Sequence, residues 1–158
     1  MAIGTDAGIW FFGTQDVVDD TSTSTISSGS FSVAADAKLD WTNDDNAPYG
    51  SAVLECQFDT TMPTVGSIGL YAKLLNIQST NDEGDTDGSY APHFVGTFQI
   101  DFGVANDTNF FTVIDLFEMP QAGAAQAIVW FIKNEGTGQT IGVDWNLWIT
   151  PKAFGPHA

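Results

Sequence analysis

Apolar side chains recur at every second position along much of this chain, and this alternation limits the fold more than any other feature. A period of two is typical of a β-strand with one buried face, because successive side chains of a strand point to opposite sides. Such segments cover residues 51–58, 68–77, 93–102 and 141–150. No stretch carries a convincing apolar stripe at the helical period. The chain is therefore predicted to be all-β.

The alternation also predicts which side chains are buried. The inward positions of three segments are predicted to be Ala52, Leu54, Cys56 and Phe58; Phe94, Gly96, Phe98, Ile100 and Phe102; and Val143, Trp145, Leu147 and Ile149. Residues 110–117 and 127–132 are apolar on both faces. This pattern predicts central strands that are covered on both sides.

Turn-forming stretches rich in Asn, Asp, Gly and Pro separate these segments, as at residues 43–48 and 134–138. With weaker strand candidates at residues 9–12, 23–33 and 37–41, the fold is predicted to be an antiparallel β-sandwich or jelly roll of about eight strands. No long linker or internal repeat divides the chain. We expect one β-sandwich domain over residues 16–158, preceded by an N-terminal arm or first strand over residues 1–15.

The charge balance excludes several classes of partner. Twenty Asp and Glu residues face four Lys and no Arg, which gives a formal net charge of −16. Nucleic-acid binding needs Lys and Arg to replace the counterions of the phosphate backbone, so no nucleic-acid partner is expected. The same reasoning argues against an anionic membrane surface. With 43% hydrophobic residues and twelve Phe, the chain is nevertheless too apolar to be a disordered acidic tail.

The sequence offers no signature of catalysis. A cysteine–histidine nucleophile is formally available from Cys56 and His93, but Cys56 lies on the apolar side of its segment, as a small core residue would. No phosphate-binding loop, dinucleotide fingerprint or Gly-x-Ser-x-Gly elbow is present. We therefore expect neither enzymatic activity nor a cofactor. The first twenty residues lack a basic segment, so we expect synthesis in the cytoplasm without a secretion signal.

One acidic loop has some features of a calcium site. Glu83, Asp85 and Asp87 alternate, and Gly88 stands where a calcium loop needs its turn glycine. Phe94, however, occupies the position of the bidentate Glu. The three acids are weak metal candidates, and a solvated hairpin tip is the more common structure of such a loop.

Aromatic residues provide the candidates for a protein interface. Ile9, Trp10, Phe11 and Phe12 form an apolar cluster beside flexible glycines, which favours an arm that becomes ordered on a partner. Trp41 and Tyr49 are further candidates, because an outward-facing aromatic side chain more often packs at an interface than it binds a sugar.

Several short motifs occur in a characteristic order. Residues 45–50 read Asp-Asn-Ala-Pro-Tyr-Gly, residues 69–72 read Gly-Leu-Tyr-Ala, and the chain closes on a Trp-x-Leu-x-Ile-Thr-Pro-Lys stretch over residues 145–152. In this order and texture the chain resembles small jelly-roll virion proteins of tailed phages, which decorate or cement the capsid. The resemblance implies a homotrimer that binds the major capsid protein on the outside of the virion and stabilises the shell.

A second functional hypothesis stays open at this point. Jelly rolls host many functions, so the fold alone does not decide among them. A carbohydrate- or receptor-binding module of a phage particle would need exposed aromatic rings beside paired Asp and Asn side chains in one groove. A decoration protein would need an apolar seat near a terminus or a loop end, which residues 9–12 supply.

Overall fold

A computed structural model describes residues 8–19, 22–33, 41–43, 47–74, 93–120 and 127–156. It contains nine strand segments: β1 (Gly8–Phe12), β2 (Asp16–Asp19), β3 (Trp41–Thr42), β4 (Tyr49–Cys56), β5 (Ser67–Leu74), β6 (His93–Phe98), β7 (Phe110–Glu118), β8 (Ala127–Glu135) and β9 (Asn146–Pro156). In the described part of the chain, no helix is long and apolar enough to cross a membrane.

The strands form two antiparallel sheets. One sheet has the order β1-β9-β4-β7, with β2 also paired to β9, and the other has the order β3-β8-β5-β6. β1 pairs with residues 152–156 of β9, and β2 pairs with residues 147–149. Between them the Gly13 N–H donates to the Pro151 carbonyl at 2.9 Å. β1 and β2 are therefore one interrupted strand along a single edge of β9.

Counted in this way the described residues form eight strands, with orders 1-8-3-6 and 2-7-4-5 in the two sheets. Consecutive strands lie in opposite sheets at every step except the pair β5 and β6, which are neighbours in the four-stranded sheet. This is the connectivity of a jelly roll. The predicted fold class is confirmed.

The core lies between the two sheets. The predicted inward residues Ala52, Leu54, Cys56 and Phe58 are all buried, and so are Trp145, Leu147 and Ile149. Trp130 of β8 meets Trp41 with ring centroids 5.6 Å apart and Phe117 of β7 with centroids 5.7 Å apart. Trp130 thus ties the four-stranded sheet to the five-stranded sheet. β8 is a central strand with both faces buried, as predicted.

Three predicted inward residues are exposed instead, namely Phe94, Phe102 and Val143. In the pairing of β5 with β6, Leu70 lies opposite Gly96 but Tyr71 lies opposite Phe94, so Val95 is an extra residue. This bulge reverses the alternation and turns Phe94 outward. Phe102 lies beyond the end of β6. Val143 precedes Asp144, whose φ of 63° interrupts the extended backbone before β9.

The prediction that residues 110–117 form a central strand is also wrong. In the described structure β7 pairs only with β4 and stands at the edge of the five-stranded sheet. Its inward side chains fill the core, but Phe111, Val113 and Leu116 are exposed on the other face. The apolar residues on that face therefore need an explanation other than the core.

Candidate protein-interaction surface

A row of apolar side chains crosses the outer face of the five-stranded sheet. Strand register places Val113 opposite Val53, Val53 opposite Trp148, and Trp148 opposite Val17. All four point away from the core, because their sequence neighbours Leu54 and Leu147 are fully buried on the other face. Val17 and Val113 are exposed, and Val53 and Trp148 are half-buried.

Edge strand β7 widens this row. Between Ile114 and Phe117, two residues of β7 stand opposite the single residue Ser51 of β4. Because of this bulge, Asp115 and Leu116 are both exposed. At the other end of β7, the Phe111 side chain is 64% exposed. We call this set of six residues the apolar outer face: Val17, Val53, Phe111, Val113, Leu116 and Trp148.

A two-stranded extension continues from this face. The pairing of β9 with β4 ends at Tyr49 and Lys152, but its pairing with β1 continues to Pro156. We call Gly8–Phe12 together with residues 152–156 the aromatic ribbon. Trp10 lies opposite Phe154 with ring centroids 5.3 Å apart, and its ring also meets Tyr49 edge-on at 5.7 Å.

Lys152 connects the ribbon to β7. Its Nζ lies 5.1 Å from the centroid of the Phe12 ring and donates to the Asp115 carbonyl oxygen at 2.7 Å. A cation over an aromatic face gains electrostatic energy from the ring quadrupole. Lys152 is the one lysine among the strands of this sheet. It holds the exposed Phe12 ring beside the apolar outer face.

Carboxylates border the apolar row without interrupting it. Glu55 accepts hydrogen bonds from the Asn146 amide at 3.0 Å and from the Asn109 amide at 3.2 Å. Asp115 and Glu118 are exposed along β7. The centre of the face is uncharged and its margin is acidic, an arrangement like the apolar core and polar rim of protein interfaces.

Isolated exposed apolar residues are normal on protein surfaces, but contiguous ones mark interaction sites. Eight of the thirteen exposed large apolar side chains in the described part of the chain belong to this sheet face or to the ribbon that extends it, and the largest of the eight are aromatic. Aromatic side chains dominate the binding energy of protein interfaces. This surface is therefore the candidate site for a protein partner.

The predicted interface residues differ in their solvent exposure in the structure. Trp10, Phe11 and Phe12 are exposed on β1, Ile9 is half-buried, and Tyr49 is half-buried against Trp10. Trp41 is only 1% exposed because it packs against Trp130 in the core, so its selection as an interface residue is wrong.

For residues 1–15 the sequence left open an arm or a first strand, and the described part is a strand. Residues 8–12 pair with β9 of the same chain and so form the first strand of the jelly roll. Residues 1–7 lie outside the described residues. The acidic candidates Glu83, Asp85 and Asp87 also lie outside them, and their role stays a prediction.

Cys56 has none of the properties of a nucleophile. Its side chain is buried in the core. Burial raises the pKa of the Cys56 thiol far above its ordinary value, and the charge of neighbouring Glu55 raises it further. A reactive cysteine needs the opposite, an accessible thiol with a lowered pKa.

A second aromatic cluster lies on the outer face of the four-stranded sheet. The Tyr71 ring meets Phe31 at 5.0 Å and Phe94 at 5.4 Å between centroids, and its hydroxyl donates to Glu135. Lys133 pairs with Glu135 at 3.1 Å. Desolvation, and then the hydrogen bond and charge of Glu135, raise the pKa of Tyr71 to about 12. The Tyr71 hydroxyl and the Lys133 side chain both bond to Glu135. This cluster is therefore less suited to bind a partner than the apolar outer face is.

Comparison with protein-family models, curated proteins and solved structures found no match to this chain.

Proposed function

We propose that this chain is a structural protein without enzymatic activity, which binds the outer surface of a tailed-phage capsid and stabilises it as a decoration or cement subunit. The observation that carries the proposal is the apolar outer face with its aromatic ribbon, on a chain with a net charge of −16. The jelly-roll fold, and the resemblance of the order of sequence motifs to that of small virion proteins, support the choice of partner.

The apolar outer face supplies the binding energy in this proposal. Complete burial of one large apolar side chain contributes about 1.5–3 kcal/mol. Association costs on the order of 4–15 kcal/mol in lost motion, so several such side chains must be buried together. Phe111, Val113 and Leu116 from β7 and the rings of the ribbon form such a group.

The charge of the chain has a complementary role. An exposed apolar face favours aggregation, and like-charge repulsion between acidic subunits opposes it before assembly. On the shell, the partner is the major capsid protein, and a homotrimer brings three apolar faces to one site. Linked copies bind much more tightly than one copy alone. The subunit is synthesised in the host cytoplasm and functions on the virion.

The carbohydrate- or receptor-binding alternative has less support. Among the polar side chains beside the apolar row, Glu55 accepts hydrogen bonds from both Asn109 and Asn146. Sugar recognition instead needs polar side chains directed at the ligand beside an open aromatic ring. This arrangement favours a protein partner over a glycan.

Co-sedimentation tests the proposal. Purified chain, characterised by light scattering, is mixed with capsids of the encoding phage that were assembled without it. We expect trimers that bind the capsids saturably, at a fixed number per shell. If the chain stays in the supernatant and is retained on a glycan array instead, it is a sugar-binding module and the proposal is wrong.

A further inference from the structure

The aromatic ribbon has apolar side chains on both of its faces. Trp10, Phe12 and Phe154 share the outer side of the sheet, as their register shows. Phe11 points the other way, and its ring lies against Gly155, with a ring carbon 3.6 Å from the position of a Cβ there. Farther along β9, Leu147 and Ile149 point the same way as Phe11 and are fully buried in the core. Phe11, by contrast, is 46% exposed.

The described residues also leave one backbone edge of the ribbon unpaired. Beyond Lys152, the described residues place no strand on the β4 side of β9. Two strands alone are marginally stable in water, and open edges are sites for further pairing or contact. The ribbon therefore gains stability when a partner covers it.

The charge of the ribbon differs sharply from that of the whole chain. Gly8–Phe12 and residues 152–156 contain Lys152 and no carboxylate, whereas the chain contains twenty Asp and Glu residues. Glu55, Asp115 and Glu118 lie on the neighbouring strands β4 and β7. A partner that receives the ribbon would thus be apolar where the ribbon lies and basic where the acidic sheet begins.

We propose that the aromatic ribbon inserts into an apolar cleft of the partner protein, flanked by Lys and Arg side chains, such as the junction between two capsid subunits. A flat seat would cover only Trp10, Phe12 and Phe154, and would leave Phe11 in water. Insertion buries both faces. This inference rests on the proposed function and specifies how the chain is seated.

Two matched variants distinguish insertion from a flat seat. Phe11→Ser and Phe12→Ser each remove one exposed ring, from opposite faces of the ribbon. If the ribbon inserts into a cleft, both variants weaken capsid binding by about 10- to 100-fold, because each loses the binding energy of one buried large apolar side chain. Phe11→Leu retains an apolar group and keeps most of the binding. Phe102→Ser removes an equally large exposed ring away from the ribbon and leaves binding unchanged.

The outcomes separate this inference from the proposed function. If the intact chain binds and Phe12→Ser weakens binding but Phe11→Ser does not, with the thermal melts of both variants unchanged, the ribbon is not inserted. The proposed function still holds in that case. Affinity that does not fall as salt is raised overturns the basic flank of the cleft, because screening weakens opposite-charge contacts. If the intact chain does not bind capsids, both proposals are wrong.

Discussion

Replacing Val113 with aspartate is expected to weaken capsid binding by roughly a hundredfold to a few thousandfold. Val113 lies in the apolar row, opposite Val53, and its side chain points away from the core. A carboxylate at this position would be buried at the contact without a partner, which costs about 3–5 kcal/mol. Co-sedimentation over a range of chain concentrations, with capsids assembled without the chain, measures this change.

Two control variants show whether the loss of binding comes from a charge buried in the apolar outer face. Val113→Thr keeps the branched shape without adding a charge, and should retain most of the affinity. Val65→Asp makes the same change of charge at another exposed valine, outside the apolar outer face, and should bind as the unmodified chain does. Equal losses for Val65→Asp and Val113→Asp would mean that overall charge, and not this face, determines binding.

Replacing Trp130 with alanine is expected to lower the free energy of unfolding by about 3–5 kcal/mol. The Trp130 side chain is fully buried, and its ring contacts Trp41 in its own sheet and Phe117 in the opposite sheet. Its removal leaves a cavity at the centre of the sandwich. The loss is a large part of the roughly 5–15 kcal/mol that stabilises a typical domain. Urea unfolding followed by circular dichroism measures it.

The matched control for this prediction is Phe102→Ala, which removes an exposed ring. Its unfolding free energy should stay within about 0.5 kcal/mol of the original value. An equally small effect of Trp130→Ala would contradict the packing of the two sheets described here.

Alternation in the sequence was enough to predict the interior of several strands. In β4 every second residue is buried, as residues 52–58 predict, because nothing interrupts the pleat between Ala52 and Cys56. The two-sided apolar run of β8 also predicted a central strand. The prediction for β4 succeeds because it depends on local periodicity alone.

The pattern failed where the backbone departs from regular extension. The extra residue Val95 in β6 reverses the direction of Phe94, and the left-handed Asp144 separates Val143 from the alternation of β9. A bulge is defined by the pairing of two strands that are distant in sequence. The sequence of one strand therefore does not reveal it.

The apolar outer face was not predicted, for a related reason. Residues 110–117 are apolar on both faces, and this pattern fits either a central strand or an edge strand with a binding face. Only the topology of the sheet distinguishes the two cases. The sequence did contain a signal, since the apolar residues exceed what one buried face requires, but the assignment of Phe111 and Val113 needed the strand order.

Trp41 shows the opposite error. It was selected as an interface residue because it lies outside the clear alternating segments, yet β3 places it against Trp130 in the core. β3 has only two residues, so its sequence shows no alternation that could predict whether the Trp41 side chain points inward or outward.

Hydroxyl-radical footprinting of the chain, free and bound to capsids, identifies the surface that contacts the shell, because it reports the solvent exposure of individual side chains. Binding through the apolar outer face and the ribbon predicts strong protection of Phe111, Leu116 and Phe154, with Val65 and Phe94 oxidised as in the free chain. Protection of Phe94 on the four-stranded sheet, with Phe111 and Leu116 still oxidised at the free rate, would mean that the chain binds capsids through the opposite sheet.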